Sequence, residues 1–94
     1  MARKPAEWMT PLDERILELL AVEGWATPAS VARRLSLRAS VARVRERCAI
    51  LTQAELVAPV SRALLHYEIT GAGRRYLEGR LDMRTRPRPV TEFE

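Results

Sequence analysis

The chain has 94 residues, with 16 Lys or Arg against 12 Asp or Glu and a formal net charge of +4. That length holds one small domain around one core. Its apolar runs are too short to cross a bilayer, its N-terminus lacks the apolar stretch of a secretory signal, and its single cysteine cannot form an internal disulfide, which together predict a cytoplasmic protein.

The positive charge is concentrated. Only Lys4 is a lysine, so the other basic residues are arginines. Residues 1–29 carry three bases against five acids, whereas residues 30–50 carry six arginines against the single acid Glu46. Within the stretch "RLSLRASVARVRERC" lie Arg34, Arg38, Arg43, Arg45 and Arg47. A solvated helix face ordinarily mixes its signs. Arginine presents a planar fork of donors that suits phosphates and guanine edges, so this bias points to a negative partner.

The chain opens with "MARKPAEW", a basic arm over residues 1–9 that Pro5 keeps irregular. In "TPLDERILELLAVEG" Thr10 is placed to cap a helix, Pro11 falls where a missing N–H costs nothing, and Asp13 and Glu14 favour the first turn. Leu12, Ile16, Leu19 and Leu20 recur at helical spacing, and Gly24 is a natural stop. "TPASVARRL" repeats this start with Thr27 and Pro28, and turns Val31 and Leu35 inward.

A third helix is predicted from about Arg38 or Ala39 to Gln53. At 100° per residue Val41, Val44, Cys48 and Leu51 form one apolar stripe. The opposite side carries Ala39, Ala42, Arg43 and Glu46, flanked by Arg38, Ser40, Arg45 and Arg47, with Ile50 near the exposed side. Next, "LVAPV" and "LLHYEIT" read as two short strands with Arg62 near the tip between them. Pro59 cannot donate to a ladder, so its strand should be an edge or end early. "TGAGRRYLEGRLDM" reads as a fourth helix capped by Thr70. "RTRPRPVTEFE" buries little and is expected to form a flexible tail over residues 83–94.

The order helix, helix, turn, helix, hairpin, helix describes a mostly α fold with a small β-hairpin, a winged helix-turn-helix spanning residues 10–82. In that architecture the arginine-rich third helix enters a DNA major groove and the hairpin is the wing.

The segments "EWMTPLDERILELL", "TPASVARRL" and "LVAPVSRALLHYEITGAGRRYLEGRLD" resemble the small winged-helix proteins of the archaeal phage phiH repressor-like family over about residues 6–82. The family pattern runs from a W-M-T start through an I-L-E-x-L helix and a Y-x-I-T wing to a G-x-x-Y-L-x-G-E-x-D ending. The ordered series is more specific than any one of its parts. The resemblance implies a DNA-binding transcriptional regulator, usually without a bound ligand or catalytic site. Glu55 stands where the family often has Gly before the L-V strand, which predicts a more strained or differently shaped turn. Leu37 and Arg38 stand where a Ser-Arg pair usually opens the recognition helix, and the chain is basic where halophilic members are acidic.

On this reading Arg38 and Arg43 are candidates for base edges and Arg47 for phosphate; Ser40 and Ala42 would meet a phosphate and a thymine methyl. Glu46 would accept from cytosine or pair with a neighbouring arginine. Thr27, Ser30 and Arg33 are candidates for the backbone, and Arg62 for the minor groove or a phosphate. Cys48 reads as a small buried hydrophobe, and Trp8 and Trp25 as lids on the first helix. His66 has no second ligand at metal spacing, and no nucleophile, carboxylate pair or phosphate loop supports catalysis, so no metal, cofactor or small-molecule ligand is expected.

The expectation is a sequence-specific regulator of double-stranded DNA, a repressor that works as a homodimer on a palindromic site. The alternative is a winged helix that binds a protein rather than DNA, using an apolar wing at Leu64 and Leu65.

Overall fold

In the computed structural model, which describes residues 2–35, 38–61 and 66–90, every helix begins at a hydroxyl cap. Thr10 starts α1 (Pro11–Glu23), Thr27 starts α2 (Pro28–Arg34), Ser40 starts α3 (Val41–Gln53) and Thr70 starts α4 (Gly71–Leu77). Each side-chain oxygen accepts the backbone N–H three residues on, satisfying a donor that the first turn leaves open. Asp13 returns the favour at Thr10, its carboxylate accepting the Thr10 N–H at 2.9 Å to complete a capping box.

The helix ends are as well defined. After α3, Leu56 N–H donates to the Leu51 carbonyl and Glu55 N–H to that of Thr52, both at 3.0 Å. This is a Schellman turn with Glu55 in its left-handed position at φ 67°. The site is the one where the resemblance led to an expectation of glycine. Its apolar contact is present too, since Leu51 and Leu56 are both buried. α4 ends the same way at Gly79, and is shorter than the sequence suggests.

Three strands form one antiparallel sheet in the order β1-β3-β2, with β1 (Trp25–Ala26), β2 (Val57–Ser61) and β3 (His66–Ile69). The two-residue β1 has no periodicity to reveal it in sequence. It pairs Trp25 with Glu68 and Ala26 with Tyr67. β2 is an edge, as Pro59 requires, and its register slips between Pro59 and Ser61.

Ile16, Leu17 and Leu20 of α1 meet Val31 of α2, Val44, Cys48 and Leu51 of α3, Ile69 of β3 and Tyr76 of α4. α4 enters this core only because residue 73 is glycine. A Cβ there would lie 2.3 Å from the Leu56 carbonyl oxygen and 2.6 Å from Ile69 Cγ1.

Among the described residues, those near both ends of the chain pack together and against the helices. Lys4 and Asp82 form a parallel bridge, Met83 is buried, and its N–H donates to the Lys4 carbonyl at 2.9 Å. Arg3 lies on Glu14 and Glu18 of α1 and donates to the Leu77 carbonyl of α4. Trp8 donates its indole N–H to the Arg86 carbonyl at 3.1 Å. Apolar cover from Ala6, Trp8 and Met83 is what a domain this small gains from its ends.

Candidate nucleic-acid interface

α3 packs against α2 in the helix-turn-helix arrangement and against α1 behind it. Its buried residues are Val44, Arg47, Cys48, Ile50 and Leu51. At about 100° per residue these span an arc of about 160°, centred between Arg47 and Leu51. The inward side is therefore turned by about 50° from the stripe that the sequence suggests. Val41 moves out to solvent and Ile50 moves fully inside.

Arg47 is the correction that follows. It was a candidate phosphate contact, but it is 3% exposed and faces Asp13, which is 0% exposed. Its Nε donates to Asp13 Oδ1 at 2.8 Å and its Nη2 to Oδ2 at 2.6 Å; Nη2 also lies 3.3 Å from the Trp8 carbonyl oxygen. The carboxylate that closes the cap of α1 thus also receives a two-pronged grip from α3. Both charges are satisfied, and among the described residues no buried side-chain polar atom lacks a partner. Breaking such a pair from one side leaves an uncompensated buried charge, at a cost of about 3–5 kcal/mol.

Opposite the buried arc α3 presents Ala42 and Arg45, with Val41 at the edge and Ala49 half-buried beyond them; Arg43 lies one turn ahead of Arg47 on the buried side of the wheel and is exposed in the first turn. Arg45 sits near the middle of this outward face rather than on the shoulder that the sequence pattern suggests. The signal that would have found it is the pair Ile50 and Leu51. Turning both inward carries Arg47 in with them and leaves Arg45, two residues earlier, on the opposite side. No ion pair among the described residues engages Arg45 or Arg38.

Arg43 is exposed and pairs with Glu46 one turn on at 2.9 Å, so the two candidates restrain each other. Arg38 is exposed just ahead of the helix. Ser40 is the cap rather than a residue of the first turn: its Oγ accepts the Arg43 N–H at 3.0 Å. Ala42 faces outward and keeps that surface low. On α2, Thr27 is likewise occupied as a cap, while Arg33 is exposed and Arg34 pairs with Glu23 of α1. Arg62, Leu64 and Leu65 lie outside the described residues, as does the Ser36–Leu37 step.

The base of the wing adjoins this face. Burial pushes the Tyr67 phenol of β3 up and Cys48 adds to the push, while the nearby Arg45 guanidinium pulls it back. Cys48 itself is held by burial and by the Asp13 charge at about 12, so its thiol stays protonated at neutral pH. Trp25 lies on β1, 55% exposed, with its ring 4.3 Å from that of His66. Among the described residues no three His, Cys, Asp or Glu side chains are grouped to hold a metal, and no helix is long and apolar enough to cross a membrane.

This geometry agrees with what the chain is similar to. The model of the winged helix-turn-helix phage repressor family matches residues 1–86. The PhiH1 repressor-like protein from Haloarcula marismortui, known from a crystal structure, is 32% identical; it aligns over 96% of this chain and 99% of its own with a TM-score of 0.84. No curated protein matches the chain. With nearly its whole length matched, the chain belongs to the winged helix-turn-helix phage repressor family, a family of DNA-binding regulators.

Proposed function

We propose that this protein is a sequence-specific repressor of double-stranded DNA that reads the major groove with the outward face of α3. The observation that carries the reading is the pairing of small and basic residues on that face: Ala42 and Ala49 let the helix approach closely, Arg45 lies beside them, and Arg43 stands exposed in the first turn. Arg38, Arg43 and Arg45 reach base edges, Ala42 meets a thymine methyl, and Glu46 either accepts from cytosine or steers Arg43. Ser40, Thr27 and Arg33 hold the phosphate backbone, with Arg62 of the wing on the adjacent backbone or minor groove. Arg47 has no part in the contact, because its guanidinium is committed to Asp13.

One such domain covers few base pairs, so the working form is a homodimer on a palindromic operator. The test is a fluorescence-anisotropy titration of random duplex DNA at two salt concentrations, followed by selection of the preferred sequence. Binding that weakens steeply with salt and is lost in Arg38→Ala/Arg43→Ala/Arg45→Ala is the expected outcome. Salt-tolerant association with a protein and no binding of any duplex would contradict it.

A further inference from the structure

We infer that the buried Asp13–Arg47 pair is a positioning device for DNA recognition: it fixes the rotation of α3 about its own axis, and so decides which side chains face the base edges. The inference rests on the DNA-reading role proposed for α3. Arg47 is a positioning residue here and touches no DNA itself.

The apolar part of the α3 interface is poorly suited to set a rotation. Val44, Cys48, Ile50 and Leu51 turn this side of the helix inward, but apolar contact is not directional and sets the rotation only coarsely. The ion pair is directional in two ways. Its fork is planar and bidentate, with Nε on Oδ1 at 2.8 Å and Nη2 on Oδ2 at 2.6 Å, a fit that a turned helix would break. Its anchor is itself fixed, because Asp13 Oδ2 also accepts the Thr10 N–H in the capping box of α1.

Arg45 and Arg47 are two residues apart, so they project about 200° from each other around the helix. The lock therefore acts on the side of α3 directly behind Arg45. Stability alone is a weak reason for a buried pair, since well-packed apolar residues of similar volume commonly do as well, whereas fixing a register is the best-attested use of such groups.

The experiment compares the full-length wild type with Asp13→Leu/Arg47→Met, which replaces the pair by apolar side chains, and with Arg47→Lys, which keeps the charge but loses the fork. Thermal melting and circular dichroism establish folding. Anisotropy then measures affinity for the duplex selected by wild type and for a random duplex of equal length. The expected result is a folded double variant whose random-duplex affinity stays within about threefold of wild type, because the outward arginines are intact. Its preference for the selected duplex falls by about tenfold or more. Arg47→Lys, assayed at a temperature where it is folded, loses preference in the same way and gives the answer if the double variant does not fold. Preference retained within about twofold in a folded variant of either kind overturns the inference, because the pair is then only structural. A wild type that binds neither duplex overturns the DNA-reading proposal, and this inference with it.

Discussion

Arg45 and Arg47 are two residues apart on one helix and have opposite fates. One is exposed near the middle of the outward face of α3; the other is sealed at the back, gripped by the carboxylate that caps α1. The difference is not in the side chain but in the phase of the helix. A basic run on a helix reports how much charge is present. Which of those charges can meet a partner depends on where the buried arc is centred, and a shift of about 50° exchanges one arginine for another.

The sharpest way to break this contrast is to truncate each arginine in turn. Arg47→Ala leaves Asp13 buried and uncompensated, and should cost about 3–5 kcal/mol in urea denaturation, a large part of the stability of so small a domain. Arg45→Ala should leave stability within about 0.5 kcal/mol, yet weaken binding of a selected duplex by about 1–3 kcal/mol. If both variants lost stability alike, the two faces would not differ as described.

The end of the same helix offers a gentler probe. Glu55→Gly relieves a side chain from a left-handed position and should raise stability by up to about 1 kcal/mol, with DNA affinity unchanged, as read by thermal melting beside anisotropy. Smallest is the effect at Asp82, whose ion pair with Arg84 is exposed, in contrast with that of Asp13. Hydrogen bonds from the Arg84 side chain and backbone hold its carboxyl at about 2, below the usual carboxylate range. Because the folded value is depressed, the contribution is present above that usual range and fades as pH falls toward about 2. Arg84→Ala should return the Asp82 titration, followed by carboxyl NMR, toward ordinary values with little change in melting temperature.

What the sequence made legible follows from this contrast. The caps Thr10, Thr27 and Thr70, the stop at Gly24 and the edge strand of Pro59 depend on local chemistry, and each stands where local chemistry puts it. The unusual turn at Glu55 was also visible, through a residue that resists the required φ. Less local features were hidden. β1 is two residues held by β3 alone, Met83 is buried near the N-terminal segment, and the partner that holds Arg47 inside is an acid 34 positions away in the chain. Ser40 was misplaced for a related reason: a serine reads equally well as an outward helical residue or a cap until the first helical hydrogen bond is known.

The most direct measurement is the salt dependence of duplex binding for the wild type beside Arg45→Ala, with log Kd plotted against log salt. If the outward face of α3 meets DNA, the wild type binds more weakly as salt rises. Arg45→Ala then binds more weakly than wild type at every salt concentration, with a shallower slope by about one unit if Arg45 meets a phosphate, or with a loss of base preference if it meets guanine. Superimposable lines for the two proteins on both selected and random duplexes would show that this face of α3 does not touch DNA.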